Sequence, residues 1–275
     1  MWLQREERPV IDEKICAIED ADILKQIADF WSAQLNNEIF LRNHSNVIRG
    51  SKEYFEIILA ARRKYIYYLP KMVEFLETIP VKTLLEVGCG MGTDTLVFES
   101  KGFQVTGIDL ASAHLQLAAR CFEHYGAQGS FIEANAERLP FPDEAFGGVY
   151  SFGVLHHTPN TAKAIREVHR VLKPGGRAVI MLYNRNSLNN FVHWITRRGF
   201  ENAVKRDQAN SDAPVTYRFT KKEFSNMCSV FAKCEICTEY LYGAGWSRIY
   251  GKVPKPIYEK LSKIWGWHLV AYLEK

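Results

Sequence analysis

The sequence has no apolar run approaching the roughly 18–20 residues of a membrane-spanning helix. Its opening stretch, MWLQREERPVIDEK, lacks the apolar centre of a secretion signal. A cytoplasmic protein without stable membrane insertion is expected. Charge of one sign is equally scarce. Thirty-five basic residues against thirty-one acidic ones leave +4, and no Lys/Arg tract is interleaved with aromatics, so no nucleic-acid partner is expected. The six cysteines, Cys16, Cys89, Cys121, Cys228, Cys234 and Cys237, are scattered and form no disulfide framework. Cys234 and Cys237 make a C-x-x-C without the second pair that a structural zinc site wants. The surrounding KCEICTEYLY has strand character, which points positions three apart to opposite faces, so no metal is expected. Internal repeats and low-complexity tracts are also missing.

What is present is an ordinary globular composition, 47% apolar and 24% charged, over 275 residues. That length suits one large domain or a core with an added cap. Residues 1–78 carry apolar positions three and four apart, in IEDADILKQIADFW and in YFEIILAARRKYIYYLPKMVEFLETI, and predict a helical N-terminal cap or lid. Pro70 should interrupt the second stretch. The Asn-rich SAQLNNEIFLRNHSNVIRGSKE between them predicts a loop or short helices. From residue 79 to the end the pattern changes to short apolar runs alternating with helical ones. TLLEVG, QVTGIDL, GSFIEANA, GGVYSFGVL and RAVIMLYN are five strands, with a turn expected at Lys173–Gly176. Gly102 and Gly126 are expected to close helices, and Thr220 to open one. AKCEICTEYL and GWHLVAYLEK are the last two strands. Such alternation predicts an α/β fold with a mostly parallel sheet flanked by helices. Residues 185–220 form a polar, partly helical insertion on the side of the substrate. The basic TRRGFENAVKR within it is assigned to the surface, although it lies beside the expected pocket.

The stretch LLEVGCGMGTDT sets three glycines at alternate positions directly after a strand. A phosphate-binding P-loop needs a lysine after the glycines, and none follows. A dinucleotide turn needs G-x-G-x-x-G, whereas Gly88-Cys89-Gly90-Met91-Gly92 brings the last glycine one position early. Bare backbone here lets a nucleoside approach without a Cβ in the way. Asp109 closes the second strand about twenty residues on, where a carboxylate can accept from both ribose hydroxyls. That placement serves NAD or S-adenosylmethionine alike.

Five motifs in order, LEVGCGMGTD, GIDLA, EANAERLPFPDEAF, GVYSFGVLHHTPN and REVHRVLKPGGRAVIMLYNRNSL, resemble those of class I S-adenosylmethionine-dependent methyltransferases. The type is similar to the ubiquinone/menaquinone C-methylases, and the likeness spans roughly residues 80–185. It implies a Rossmann-like fold with a seven-stranded sheet, and S-adenosylmethionine as cofactor, with S-adenosylhomocysteine as product. It further implies that Gly88, Cys89, Gly90 and Gly92 pass under the methionine and ribose, with Glu86 beside them. Asp109 takes the ribose, Leu110 packs on the adenine, Asn135 and Ala136 meet its edge, and Phe152 touches the methionine end. His156 and His157 would face the meeting point of methyl donor and acceptor. Two positions depart from the family pattern. Asn135 stands where an acid is usual, and its uncharged carbonyl accepts more weakly. Gly147 stands where Phe-Asp is usual, so looser ordering is expected around the fourth strand.

His156 and His157 are candidate general bases, since histidine titrates near neutrality. Tyr183, at the end of the fifth strand, and His193, in the insertion, are further candidates, and a phenol near a sulfonium can stabilise it through its ring. The aromatic run Tyr65–Tyr68 is assigned to packing. The expected activity is methyl transfer to a small-molecule or peptide-like natural-product acceptor on C, N or O, with no metal. The alternatives are an NAD-dependent oxidoreductase and a non-catalytic S-adenosylmethionine-binding protein. The aromatic-rich terminal segments are candidates for the face of a homodimer.

Overall fold

A computed structural model describes residues 13–41, 44, 46–196, 213–242 and 252–275. Helix α1 (Glu13–Ala33) and a 3-10 turn (Asn36–Leu41) lead to α2 (Lys52–Tyr65), which Ser51 caps by accepting from the Tyr54 N–H. Helix α3 (Leu69–Glu77) follows. The alternating part then runs β1 (Thr83–Val87), α4 (Thr93–Glu99), β2 (Gln104–Asp109), α5 (Ser112–Tyr125), β3 (Gly129–Glu133), β4 (Phe146–Phe152), α6 (Thr161–Val171) and β5 (Leu172–Tyr183). Helix α7 (Leu188–Thr196) opens the insertion, and residues 197–212, with most of its basic stretch, lie outside the described residues. Helix α8 (Lys221–Met227) starts at a capping box in which Thr220 and Glu223 bond reciprocally. Strand β6 (Lys233–Glu239), helix α9 (Lys255–Trp265) and strand β7 (His268–Glu274) end the chain.

The seven strands form one sheet in the order β3-β2-β1-β4-β5-β7-β6. β1 to β5 pair in parallel, and β7 is antiparallel to both β5 and β6. Residues alternate between two cores, as a period of two requires. Leu84, Val179 and Met181 face a core built with α2, α3 and α5, while Leu85, Val87, Ala178, Ile180 and Leu182 face a second core with α6 and α8. Tyr54, Phe55, Ile58, Met72 and Leu76 are buried in the first core, so α2 and α3 form a full layer on the sheet. Strand order reverses between β1 and β4. Ligands bind in the crevice beyond the carboxyl ends at such a switch point.

Several local expectations are refined. The helix break falls before Pro70, which sits in the first turn of α3, where its missing N–H costs nothing. Gly126 closes α5 in the left-handed conformation, but α4 is capped by Ser100, with Gly102 two residues beyond. The expected turn at Lys173–Gly176 lies inside β5 instead. Phe146 pairs with Leu172 and Gly148 already with Arg177, so residues 173–176 bulge out of the ladder. Gly147 does not loosen β4: the strand is buried almost throughout, and the Gly147 N–H donates to Thr83 Oγ1 at 2.9 Å. A Cβ at 147 would collide with the Val81 carbonyl oxygen, and one at 148 would lie 2.9 Å from Ile79 Cδ1. The missing acid is thus exchanged for close approach of the α3–β1 connection. Gly147→Ala is expected to destabilise the fold by about 1–3 kcal/mol through overpacking; a urea midpoint unchanged from the parent chain would refute that packing role.

Candidate active site

The glycine turn leaves β1 with Gly88, Gly90 and Gly92 all left-handed, at φ +76°, +54° and +73°. Gly88 has no room for a side chain because Val154, beyond β4, occupies the place, and a Cβ at Gly92 would lie 3.0 Å from Ala118 on α5. A Cβ at Gly90 would meet nothing within 4 Å. Two glycines are thus fixed by packing, and the third presents bare backbone to open space. The N–H groups of Gly88 and buried Cys89 both donate to the Ile108 carbonyl, at 2.8 and 2.9 Å, which anchors the turn to β2.

Asp109 ends β2 beside this turn. Its Oδ2 accepts from the Gly90 N–H and its Oδ1 from the Ala111 N–H, both at 2.9 Å. A carboxylate offers about four acceptor positions, so a diol can still be held. His114 Nδ1 lies 3.3 Å from Asp109 Oδ1, and its Nε2 is 3.3 Å from the Gln34 carbonyl just after α1. Burial alone would lower the His114 pKa, but Asp109 and the carbonyls of Gln34 and Trp31 raise it instead. Beyond β3, Asn135 Oδ1 accepts from the Glu137 N–H at 2.9 Å and Ala136 is buried, while Leu110 is half-buried. The Asn135 carbonyl is thus already engaged in an Asx turn, which leaves its second lone pair for a ligand.

At the other end of the glycine turn lies a buried charged network. Glu86 accepts from the Thr95 hydroxyl. Burial, then the nearby Asp94 carboxylate, raises its pKa well above the carboxylate range. Asp94, in the first turn of α4, accepts a bidentate pair from Arg62 of α2, Nε to Oδ1 at 2.8 Å and Nη2 to Oδ2, and a third bond from Tyr150 Oη at 2.8 Å. Burial opposes the Arg62 charge, but Asp94 more than reverses this and keeps it a cation. The guanidinium also lies 4.3 Å from the centroid of the Phe152 ring.

Past β4, the chain enters an aromatic chamber. His156 is fully buried, with its ring 3.9 Å from Tyr183 and 4.3 Å from His157, and neither of its nitrogens has a hydrogen-bond partner. Burial, helped by His157, His268 and Arg218, pushes its pKa well down. His157 donates from Nδ1 to the Val215 carbonyl at 2.8 Å, which leaves the Nε2 lone pair unpartnered. Burial drives its pKa down to about 4. The Trp31 ring of α1 packs on it at 4.9 Å. His268, opposite Tyr183 in the β5–β7 register, stacks on Tyr240 at 4.4 Å, bonds through Nδ1 to the Tyr68 hydroxyl and lies 5.5 Å from Phe152. Burial, then Arg62, lowers its pKa well below the usual value. Trp267 completes the wall, 4.7 Å from Tyr183, with the Arg218 guanidinium 5.0 Å from its ring centroid. Helix α7 carries His193, whose side chain lies outside the described residues.

Sequence reasoning missed Arg62, His114, Tyr68, Trp267 and His268. Arg62 and Tyr68 stand in a helical stretch otherwise suited to packing, His268 opens the last strand and Trp267 directly precedes it. Their shared signal was a polar or aromatic residue interrupting an apolar pattern. Among the described residues there is no group of three His, Cys, Asp or Glu able to hold a metal, and Cys234 and Cys237 differ in exposure along β6.

A strand order of 3-2-1-4-5-7-6 with an antiparallel β7, a glycine turn at the switch point and an acid closing β2 define the Rossmann-like fold of class I methyltransferases. Residues 85–180 match the protein-family model described as a methyltransferase domain. Over 109 residues the chain is 39% identical to a demethylmenaquinone methyltransferase of Thermus thermophilus, covering 38% of this chain and 49% of that one. It is 31% identical over 111 residues to a sterol 4-C-methyltransferase of Caenorhabditis elegans, covering 40% of this chain and 33% of that one. The chain thus spans half or less of the length of these curated relatives. The crystal structure of geranyl diphosphate C-methyltransferase from Streptomyces coelicolor, with S-adenosyl-L-homocysteine bound, superposes with a TM-score of 0.62 at 15% identity, over 92% of this chain and 97% of that one. That identity speaks for the fold alone.

Two expectations follow from the geometry. Arg62→Met should destabilise the chain by about 3–5 kcal/mol by stranding the Asp94 carboxylate. Adding Asp94→Asn should return part of the loss, so a double-mutant urea series with purely additive costs would rule out the network. The depressed His157 means that the folded chain binds fewer protons than the unfolded one between pH 6.5 and about 4. Stability is therefore lost as pH falls through that window. His157→Asn, which keeps a donor toward Val215, should remove about 3 kcal/mol of that acid-linked loss; thermal melts of equal pH slope would contradict it.

Proposed function

We propose that this chain transfers a methyl group from S-adenosylmethionine to an uncharged aromatic or apolar small molecule, natural products included. The observation that carries the reading is the pairing of bare backbone at Gly90 with the Asp109 carboxylate, which keeps acceptor capacity beside it. The residues present suit the cofactor. Gly88, Cys89, Gly90 and Gly92 form the cradle, Asp109 takes the ribose hydroxyls, and Leu110, Asn135 and Ala136 border the adenine. Glu86, Phe152 and the Arg62 cation stand at the methionine end. When bound, S-adenosylmethionine supplies a methyl group on an electrophilic sulfonium. The chain's own task is then to align the acceptor, exclude water and take a proton where the acceptor carries one.

The aromatic chamber supports the choice of acceptor. Guanidinium groups already sit over the faces of Phe152 and Trp267, which disfavours a cationic acceptor at those rings. His156, His157 and His268 are all held neutral by burial and carry lone pairs for proton transfer. Of these, His157 offers an unpartnered Nε2 in a fixed tautomer, so we assign it the base, with Tyr183 packing the acceptor. The end of α1 serves as a lid: Trp31 covers His157, and Gln34 meets His114.

Calorimetric titration with S-adenosylhomocysteine tests the reading, with NADH as the comparison ligand. Micromolar binding that Asp109→Ala weakens at least about a hundredfold is expected, a carboxylate–diol contact being worth several kcal/mol. Preference for NADH, or no binding of either, would overturn it.

A further inference from the structure

Four of the large apolar side chains exposed to solvent lie on α7 and α9. Phe191 on α7 is 56% exposed, and Ile257, Ile264 and Trp265 on α9 are 52%, 56% and 49% exposed. The two helices meet at a small core of Leu241, Tyr242 and Tyr258, to which Leu188, Leu261 and Tyr67 contribute. That core holds the inner face of α9 and leaves Ile257 and Ile264, seven residues apart, on a common outward line. Lys252, Lys255, Lys260 and Lys263 are exposed along the same segment, and its single acid, Glu259, is paired with Lys255 at 3.7 Å. In the underlying strand, Glu239 is buried against the Tyr67 hydroxyl at 2.5 Å and offsets part of the charge of Lys263 alone among these lysines.

We propose that the α7–α9 end is a docking face for an anionic lipid bilayer. Isoleucines and a tryptophan, flanked by lysines on one helix, are the composition of an interfacial anchor. The apolar groups sink into the headgroup boundary and the lysines meet its negative charge. A second protein surface with the same affinity would need acids against four lysines around an apolar ridge, whereas a bilayer supplies both chemistries at once. No described helix is long and apolar enough to cross a membrane, so the contact is peripheral. Its position gives it a use. Helix α9 ends at Gly266, the next two residues are Trp267 and His268 of the chamber, and the Trp267 N–H is held by the Tyr240 carbonyl at 2.8 Å. Docking therefore sets the chamber against the lipid phase, where a lipid-soluble acceptor would be drawn. This last step rests on the proposed methyl transfer; the docking itself does not.

The test is sedimentation of the full chain with vesicles of phosphatidylcholine and phosphatidylglycerol, against phosphatidylcholine alone, at rising salt. Binding to the anionic vesicles that fades with salt is expected. Lys255→Glu/Lys260→Glu/Lys263→Glu, and separately Ile257→Asp/Ile264→Asp, should each weaken it at least about tenfold, while S-adenosylhomocysteine titrations of both variants match the parent chain. Failure to sediment with anionic vesicles would overturn the proposal, as would variants that sediment equally. A dimer in light scattering that Ile264→Asp dissolves, without vesicle binding, would assign the face to a second copy instead. Because vesicle binding needs no turnover, a chain that docks but binds no S-adenosylhomocysteine would sink the methyl-transfer reading and leave the docking face standing.

Discussion

The bidentate pair between Arg62 and Asp94 is the constraint on which the site depends. Asp94 lies in the first turn of α4, two residues past Gly92, so its position follows that of the glycine turn. Arg62 comes from α2, outside the sheet-and-helix repeat altogether. Tyr150 of β4 closes the triangle at Asp94. Three separately placed segments thus meet at one carboxylate. A buried carboxylate needs a partner and several hydrogen bonds to be tolerated, and here it has both. The same cation holds the neighbouring Glu86 in check: burial and Asp94 favour its protonated form, and Arg62 opposes them. Replacing such a network by apolar residues is often neutral for stability. What the polar version adds here is register, because α2 cannot slide along the sheet without stranding Asp94.

The opposite end of the crevice is organised by the absence of charge. His156, His157 and His268 lie within a few side chains of one another, and burial is the first cause of the lowered pKa in each. At His156 both histidine neighbours add to this by disfavouring its cation. The result is a low-dielectric wall of rings between two guanidinium groups, one over Phe152 and one over Trp267. In such surroundings a lone pair is costly to leave unmatched. The unpartnered nitrogens of His156 and His157 therefore mark the place where the chain has conceded stability, as sites that bind small molecules do.

The alternating part was legible because its signals are local. Strands such as TLLEVG are short apolar runs bounded by turn residues, and glycines appear where the backbone must turn left-handed. Asp109 was singled out by its distance from those glycines, and it ends β2 beside their turn. The lysine–proline–glycine–glycine stretch was misjudged for the same local reason: its residues favour a turn, yet the pairing of β4 with β5 resumes on either side and converts the turn into a bulge. At Gly147 a resemblance to a related pattern predicted a loosening, whereas the glycine answers to the Val81 carbonyl some sixty residues away, a contact that no local window contains. Arg62, Tyr68 and His268 escaped notice for that reason too. Their chemistry arises only when α2, the residue before α3, β4 and β7 come together around Phe152, and Tyr68 and His268 stand 200 positions apart.

The two ends of the site are linked through a single stretch of chain at the end of α1. Trp31 lies on His157 in the chamber, and three residues later the Gln34 carbonyl meets His114, which in turn faces Asp109. That stretch therefore touches His157 on one side and the histidine that faces Asp109 on the other. Asp109 favours the His114 cation, while burial disfavours that of His157, so the two contacts of this stretch are pushed in opposite directions. Trp31 and Gln34 thus tie the end of α1 to both sides of the crevice.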